Sequence, residues 1–264
     1  MSAVLEAKDI CMYFGGLKAV EKVNMTVSQG DVFGIIGPNG AGKTTFFNVC
    51  SGIYQPTSGD ILLHGKSVIG LRPEQIAERG MARTFQNIKL FNYMSVLENV
   101  KIGFHNKTST GIWDAILRTK TFRKDEEYAT QKGLEILELV GLSEFKDTLA
   151  GNLAYGIQRK VEIARALALD PSILLLDEPA AGMNPNETMS LMGLIKELSA
   201  KGYTIAVIEH DMKFVMNSCN QILVLNFGQK ICEGGPDTVK CSKDVQEAYF
   251  GKGTIAGEAV RTNA

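Results

Sequence analysis

Hydrophobic positions along this chain follow two periods, and the switching between them predicts its organisation. Alternating or continuous apolar runs over residues 4–10, 22–28, 31–36, about 60–64, 81–85, 173–176, 204–208 and 222–225 read as strands. Helical spacing appears over 44–50, from Pro73 onward, over 187–199 and 212–216, and near 239–250. Between Ser95 and about Leu169 the pattern is helical almost throughout. The first two strands predict a small antiparallel layer. Strands that later alternate with helices predict a mostly parallel sheet covered on both faces, with the stretch 95–169 as a helical lobe inserted into it. The expected fold class is therefore α/β. Residues 1–250 form a single domain in this reading, and the tail 251–264, rich in Gly, Ala and Thr, is loosely held.

Composition narrows the classes of function. The chain has 264 residues, near the size at which one core begins to split into lobes. Lys+Arg 28 against Asp+Glu 29 leaves a net charge of −1, and without a basic block a nucleic-acid partner gains no support. No apolar run approaches a membrane span, and MSAVLEAKDI lacks a secretory pattern, so a cytoplasmic chain is expected. The five cysteines, at 11, 50, 219, 232 and 241, are odd in number and contain no C-x-x-C pair. They predict single buried or half-buried thiols rather than disulfides or a zinc site.

The strongest chemical signal is GPNGAGKTT, directly behind the strand at 31–36. Gly37, Gly40, Gly42, Lys43 and Thr44 meet the pattern G-x-x-x-x-G-K-T, in which glycines let the chain curl so that its N–H groups converge on an anion. The helix that follows turns its positive end toward the same point. Gly37, Pro38, Asn39, Gly40, Ala41, Gly42, Lys43, Thr44 and Thr45 are the expected phosphate cradle. Lys43 would reach the β- and γ-phosphates, and the Thr44 hydroxyl would bind a Mg²⁺ ion that bridges them.

A second signal is ILLLDEP at 173–179, a buried strand delivering carboxylates to the crevice beside that loop. Neighbouring residues of a strand point opposite ways, which lets Asp177 hold the metal while Glu178 polarises the attacking water. Gln86, after the strand at 81–85, can touch both metal and water. His210, after the strand at 204–208, falls on the same edge as Glu178. Finally, LAYGIQRKVEIARAL at 153–167, with the alanine that follows it, carries apolar residues at 157, 161, 164 and 168, so a second glycine-bearing turn opens a helix. With two such starts and one nucleotide, Ala154, Tyr155 and Gly156 are expected to close on the ATP of a partner subunit.

In order, GPNGAGKTT, RTFQN, LAYGIQRKVEIARAL, ILLLDEP and IEHD resemble the nucleotide-binding subunit of ABC transporters across nearly the whole chain. The resemblance implies a head-to-tail dimer with ATP between phosphate loop and opposing signature turn. It also implies an aromatic platform for adenine, at Phe14 or at the neighbouring Tyr13. The stretches from Phe14 to Val20, at RTFQN, at PAAGMNP and at EHDM are similar to the longer ATPase of branched-chain amino-acid importers, and the added helical material at about 104–130 fits that type. Permease subunits, a second ATPase and, indirectly, a solute-binding protein are then the implied partners, at the inner face of the cell membrane. The run 88–94, with Phe91 and Tyr93, offers the permease a docking surface. The competing class is a soluble ABC ATPase acting on nucleic acid or ribosomes, for which no second cassette, long coiled-coil insert or basic extension is visible.

Four residues depart from the general family pattern. Ala154 stands where most signatures have Ser, leaving the helix start and the Gly156 N–H to meet the γ-phosphate. Tyr155 replaces a glycine, as in the importer subgroup, and Ile157 stands where Gln is common. Asn184 replaces the usual Asp after the catalytic strand. These changes predict weaker contacts across the dimer and favour pairing with an unlike ATPase.

Overall fold

The computed structural model describes residues 2–107 and 119–250; the tail 251–264 and part of the expected extra helical material lie outside the described residues. The strands are β1 (Ala3–Phe14), β2 (Leu17–Ser28), β3 (Val32–Ile36), β4 (Ser58–Leu63), β5 (Lys66–Ser67), β6 (Met81–Arg83), β7 (Ile173–Asp177), β8 (Ile205–Ile208), β9 (Gln221–Asn226) and β10 (Gln229–Gly234). The α-helices are α1 (Lys43–Cys50), α2 (Pro73–Glu78), α3 (Val96–Lys101), α4 (Lys120–Leu139), α5 (Tyr155–Leu167), α6 (Pro185–Ala200), α7 (Met212–Ser218), α8 (Pro236–Cys241) and α9 (Lys243–Phe250).

Two sheets organise them. A four-stranded antiparallel sheet runs β2-β1-β4-β5, and a six-stranded sheet runs β10-β9-β3-β8-β7-β6. Within the second, β6, β7, β8, β3 and β9 are parallel and β10 is an antiparallel edge. The β1–β2 hairpin is longer than its alternation predicts. Register shifts near Asp9 and Lys22, at φ 48 and 50, reset the pattern and let pairing continue.

Every residue of β3, β7 and β8 is buried, as continuous apolar runs in a covered parallel sheet require. Successive residues feed opposite faces. Leu174, Leu176 and Val207 join Val96, Val100, Leu137, Val161 and Ala164 in one apolar cluster, so the inserted helices share their core with that face. Ile173, Leu175 and Ile208 join Phe46 and Phe47 of α1 and the β1–β2 hairpin on the other. The sheet thereby holds α1 on one side, the helical insert on the other, and the ends of β3, β7 and β8 between them.

Four expectations change. The strand at 81–85 stops at Arg83: Thr84 makes one last bond to Leu175 O, at 2.9 Å, and Phe85 and Gln86 are exposed beyond it. The helix at 239–250 is two helices, because Ser242 takes extended backbone at φ −72, ψ 122 between α8 and α9. Strand β10 escaped the reading because it is a half-exposed edge with polar side chains; Phe227 and Gly228, at φ 46 and 77, suit the tight hairpin turn that forms it. Cys11, Cys50 and Cys219 are buried and Cys232 half-buried, but Cys241 is exposed on α8.

Candidate functional site

The loop from Gly37 to Thr45 leaves β3 and enters α1. Gly40 and Gly42 hold φ 79 and 95, and Gly42 is the N-cap of α1, with no side chain capping it. A Cβ on Gly37 would lie 2.1 Å from Leu225 O, and one on Gly42 2.3 Å from Ala19 O, so backbone packing demands glycine at both positions. Ala41 is buried and donates to Pro38 O at 3.1 Å, tightening the curl, while Asn39, Gly40 and Thr44 are exposed and Thr45 is half-buried. Lys43 folds inward. Its Nζ donates to Gly37 O at 2.7 Å and Pro38 O at 3.0 Å, burial pushes its pKa down, and the charge of Glu178 opposes that shift. A buried ammonium with carbonyl partners next to an uncapped helix start can receive an anion.

At the end of β7 two carboxylates diverge. Asp177 Oδ2 accepts from Arg83 at 2.6 Å, with both side chains buried, and Arg83 also donates to Ser51 Oγ at 2.5 Å. Asp177 Oδ1 is left for a further partner. The divergence expected from strand pleating has a different origin: β7 ends at Asp177, and Glu178 turns at φ 44, a left-handed backbone that a non-glycine residue adopts at a cost. Its N–H donates to Ile208 O at 3.0 Å, which fixes that turn against β8. Gln86 Nε2 donates to Glu178 Oε2 at 3.3 Å, and the exposed His210 has Nδ1 3.9 Å from the same oxygen. Gln86, Glu178 and His210 therefore meet, although β6 stops three residues before Gln86.

Behind them sits Glu209, fully buried. It accepts from Ala180 N at 2.8 Å and His210 N at 3.2 Å, clamping the turn after Glu178 to the end of β8. Burial pushes its carboxyl pKa up against those bonds.

The second glycine turn opens α5. Ala154 is the N-cap and, being Ala, supplies no side-chain cap; Ala154 and Tyr155 are exposed and Gly156 is buried. Arg159, one helical turn on, is wholly buried. It donates to Phe85 O and Gln86 O, both at 2.7 Å, to Glu162 at 2.7 Å and to the Tyr155 hydroxyl at 3.3 Å. The backbone that carries Gln86 is thus tied to the helix of the second turn. Phe14 ends β1 with an exposed ring, edge-to-face with Tyr54 at 5.6 Å, whereas Tyr13 is half-buried with Lys18 Nζ 5.8 Å from its ring centre.

Arg83, Arg159 and Glu209 were not assigned from sequence. A charged residue in a buried stretch is a signal only once its partners are known, and each of these has one remote in sequence: Asp177, Phe85 and Ala180 respectively.

The fold and these clustered groups define a P-loop nucleoside triphosphatase of the ATP-binding-cassette class. The ABC transporter family matches residues 20–181, and the chain belongs to that family. It is 45% identical over 250 residues to the high-affinity branched-chain amino acid transport ATP-binding protein BraF of Pseudomonas aeruginosa, covering 94% of this chain and 98% of that protein. The corresponding LivG protein of Escherichia coli K12 is 44% identical over the same shares. Among solved structures, the ADP conformation of MJ1267, an ATP-binding cassette of an ABC transporter, matches with a TM-score of 0.82 at 34% identity, covering 96% of this chain and 100% of that one.

Proposed function

We propose that this chain is the ATP-hydrolysing motor subunit of an importer for branched-chain amino acids, working at the inner face of the cell membrane. The carrying observation is the meeting of Gln86 with Glu178, 3.3 Å apart, beside the buried Lys43 at the end of the parallel sheet. The likeness to BraF and LivG supports the solute class.

The residues suit ATP and Mg²⁺. Gly37 and Gly42 curl the loop where a Cβ would collide with backbone, and Lys43 is a buried cation whose bonding partners are carbonyls. Thr44, Asp177 and Gln86 offer the oxygen donors that a hard cation takes. When bound, Mg²⁺ supplies neutralisation of the charge on the β- and γ-phosphates. Lys43 leaves its carbonyls for the phosphates, Phe14 stacks on adenine, and Arg83 fixes one oxygen of Asp177, whose carboxylate would help hold the metal. Glu178 accepts the proton of the attacking water, with Gln86 and His210 orienting carboxylate and water. Ala154, Tyr155 and Gly156 close on the ATP of a second subunit, and the missing hydroxyl at Ala154 favours an unlike ATPase as that subunit.

The permease docks at 88–94, where Phe91 is 53% and Tyr93 94% exposed, a poor state for aromatic rings in water. Reconstitution with two permeases and a shorter ATPase is the test. Leucine-stimulated ATP hydrolysis and uptake are expected, and Phe91→Asp should uncouple uptake from hydrolysis in a folded subunit. No response to any apolar amino acid would refute the solute; full uptake with this subunit as the sole ATPase would refute unlike pairing.

A further inference from the structure

The Gly156 N–H, the group left to meet a γ-phosphate when Ala154 carries no hydroxyl, already has an anionic partner in its own chain. Gly156 N donates to Glu187 Oε1 at 3.3 Å. The approach is close: a Cβ on Gly156 would lie 2.9 Å from Glu187 Cγ, Cδ and Oε1. Glu187 stands in the first turn of α6, and its other oxygen accepts from Asn184 N at 3.0 Å. Asn184 Oδ1 in turn accepts from Glu187 N at 3.0 Å, which completes a capping box. The carboxylate is therefore held in place by α6 and pressed on the start of α5, where a negative charge is favoured.

We propose that Glu187 sets the ATP concentration at which this cassette closes, by holding the Gly156 N–H until a γ-phosphate displaces it. This rests on the head-to-tail pairing proposed above. Two anions cannot share one N–H at a helix start without repelling each other, so the carboxylate must withdraw as the phosphate arrives. Glu187 is thus a positioning residue for the signature turn, satisfying it when no nucleotide faces it. Asn184, where the family more often has Asp, anchors the carboxylate without adding a second negative charge beside it.

Glu187→Gln tests the hold on Gly156, because the single amide oxygen of Gln can complete the capping box with Asn184 N while its NH2 group cannot accept from the Gly156 N–H, so the charge and that one bond are lost together. In the full chain carrying Glu178→Gln, mixed with its partner ATPase, ATP-driven association is followed by light scattering. Adding Glu187→Gln should lower the ATP needed for half-association about two- to tenfold, in a chain that stays folded at the assay temperature. In the assembled transporter the same change should lower KM for ATP without raising kcat. In the ATP-free chain, Glu187→Ala should speed amide hydrogen exchange over residues 153–158. An unchanged or higher ATP requirement in an associating pair overturns the role of Glu187 and leaves the pairing intact, as does unaltered exchange. Failure of the Glu178→Gln parent to associate at any ATP concentration would instead bring down the pairing and this role together, and it would show in the parent.

Discussion

The two glycine-bearing turns, at Gly37–Thr45 and at Ala154–Gly156, start from the same device and end differently. Each opens a helix whose N-cap residue makes no side-chain cap bond, so each has N–H groups at its start that an anion can take. The first is wound through positive-φ glycines, of which Gly37 and Gly42 leave no room for a side chain, and its lysine is parked on the loop's own carbonyls. The second has ordinary helical backbone and a carboxylate from α6 against its glycine. A helix start is a generic anion site; the neighbours decide whether it waits with a cation beside it or with an anion already on it.

The largest expected effect separates binding at the first turn from chemistry at the end of β7. Glu178→Gln should keep ATP affinity but lose ~10²–10⁴ in turnover, because an amide cannot take the water's proton. Wild-type steady-state hydrolysis by the purified variant would remove Glu178 from that role. Lys43→Ala strikes the turn itself, and the loss of a charged bond to phosphate predicts ~10- to 100-fold weaker ATP binding, readable by fluorescent-nucleotide titration.

A matched pair probes the contrast directly. Gly42→Ala drives a Cβ into Ala19 O at 2.3 Å, and backbone cannot swing aside, so about 1–3 kcal/mol of stability should be lost in denaturant melts. Gly156→Ala meets a side chain, Glu187 Cγ, Cδ and Oε1 at 2.9 Å, which can move only by giving up its bonds to Gly156 N and Asn184 N, so a smaller loss, under about 1 kcal/mol, is expected. Equal losses would mean that the second turn is as rigidly packed as the first.

The smallest effect is a pH dependence. Burial raises the carboxyl pKa of Glu209 above its ordinary value of 4.5, so above pH 4.5 the folded chain retains a proton that the unfolded chain releases. Stability contributed by that proton is present at low pH and falls as pH rises through the raised pKa. Glu209→Gln should flatten this slope in thermal melts taken across mildly acidic pH, and an unchanged slope would contradict it.

The sequence by itself determined the elements whose causes are local. The central strands β3, β7 and β8 were legible because burial on both faces demands an unbroken apolar run of strand length. The phosphate loop was legible because only glycine tolerates its backbone, and that requirement is written residue by residue. Tertiary structure alone decided what depends on distant chain. Gln86 meets Glu178 across 92 positions, and Arg159 reaches the carbonyls of Phe85 and Gln86 across 74 and 73. Glu187 comes to Gly156 across 31, and only because α5 and α6 are packed together. Periodicity reports which side of an element faces the core, since it is set by neighbours within a turn or a pleat. Which polar group a buried charge will find is set by how the sheet and the inserted helices stack, and that is a property of the assembled molecule.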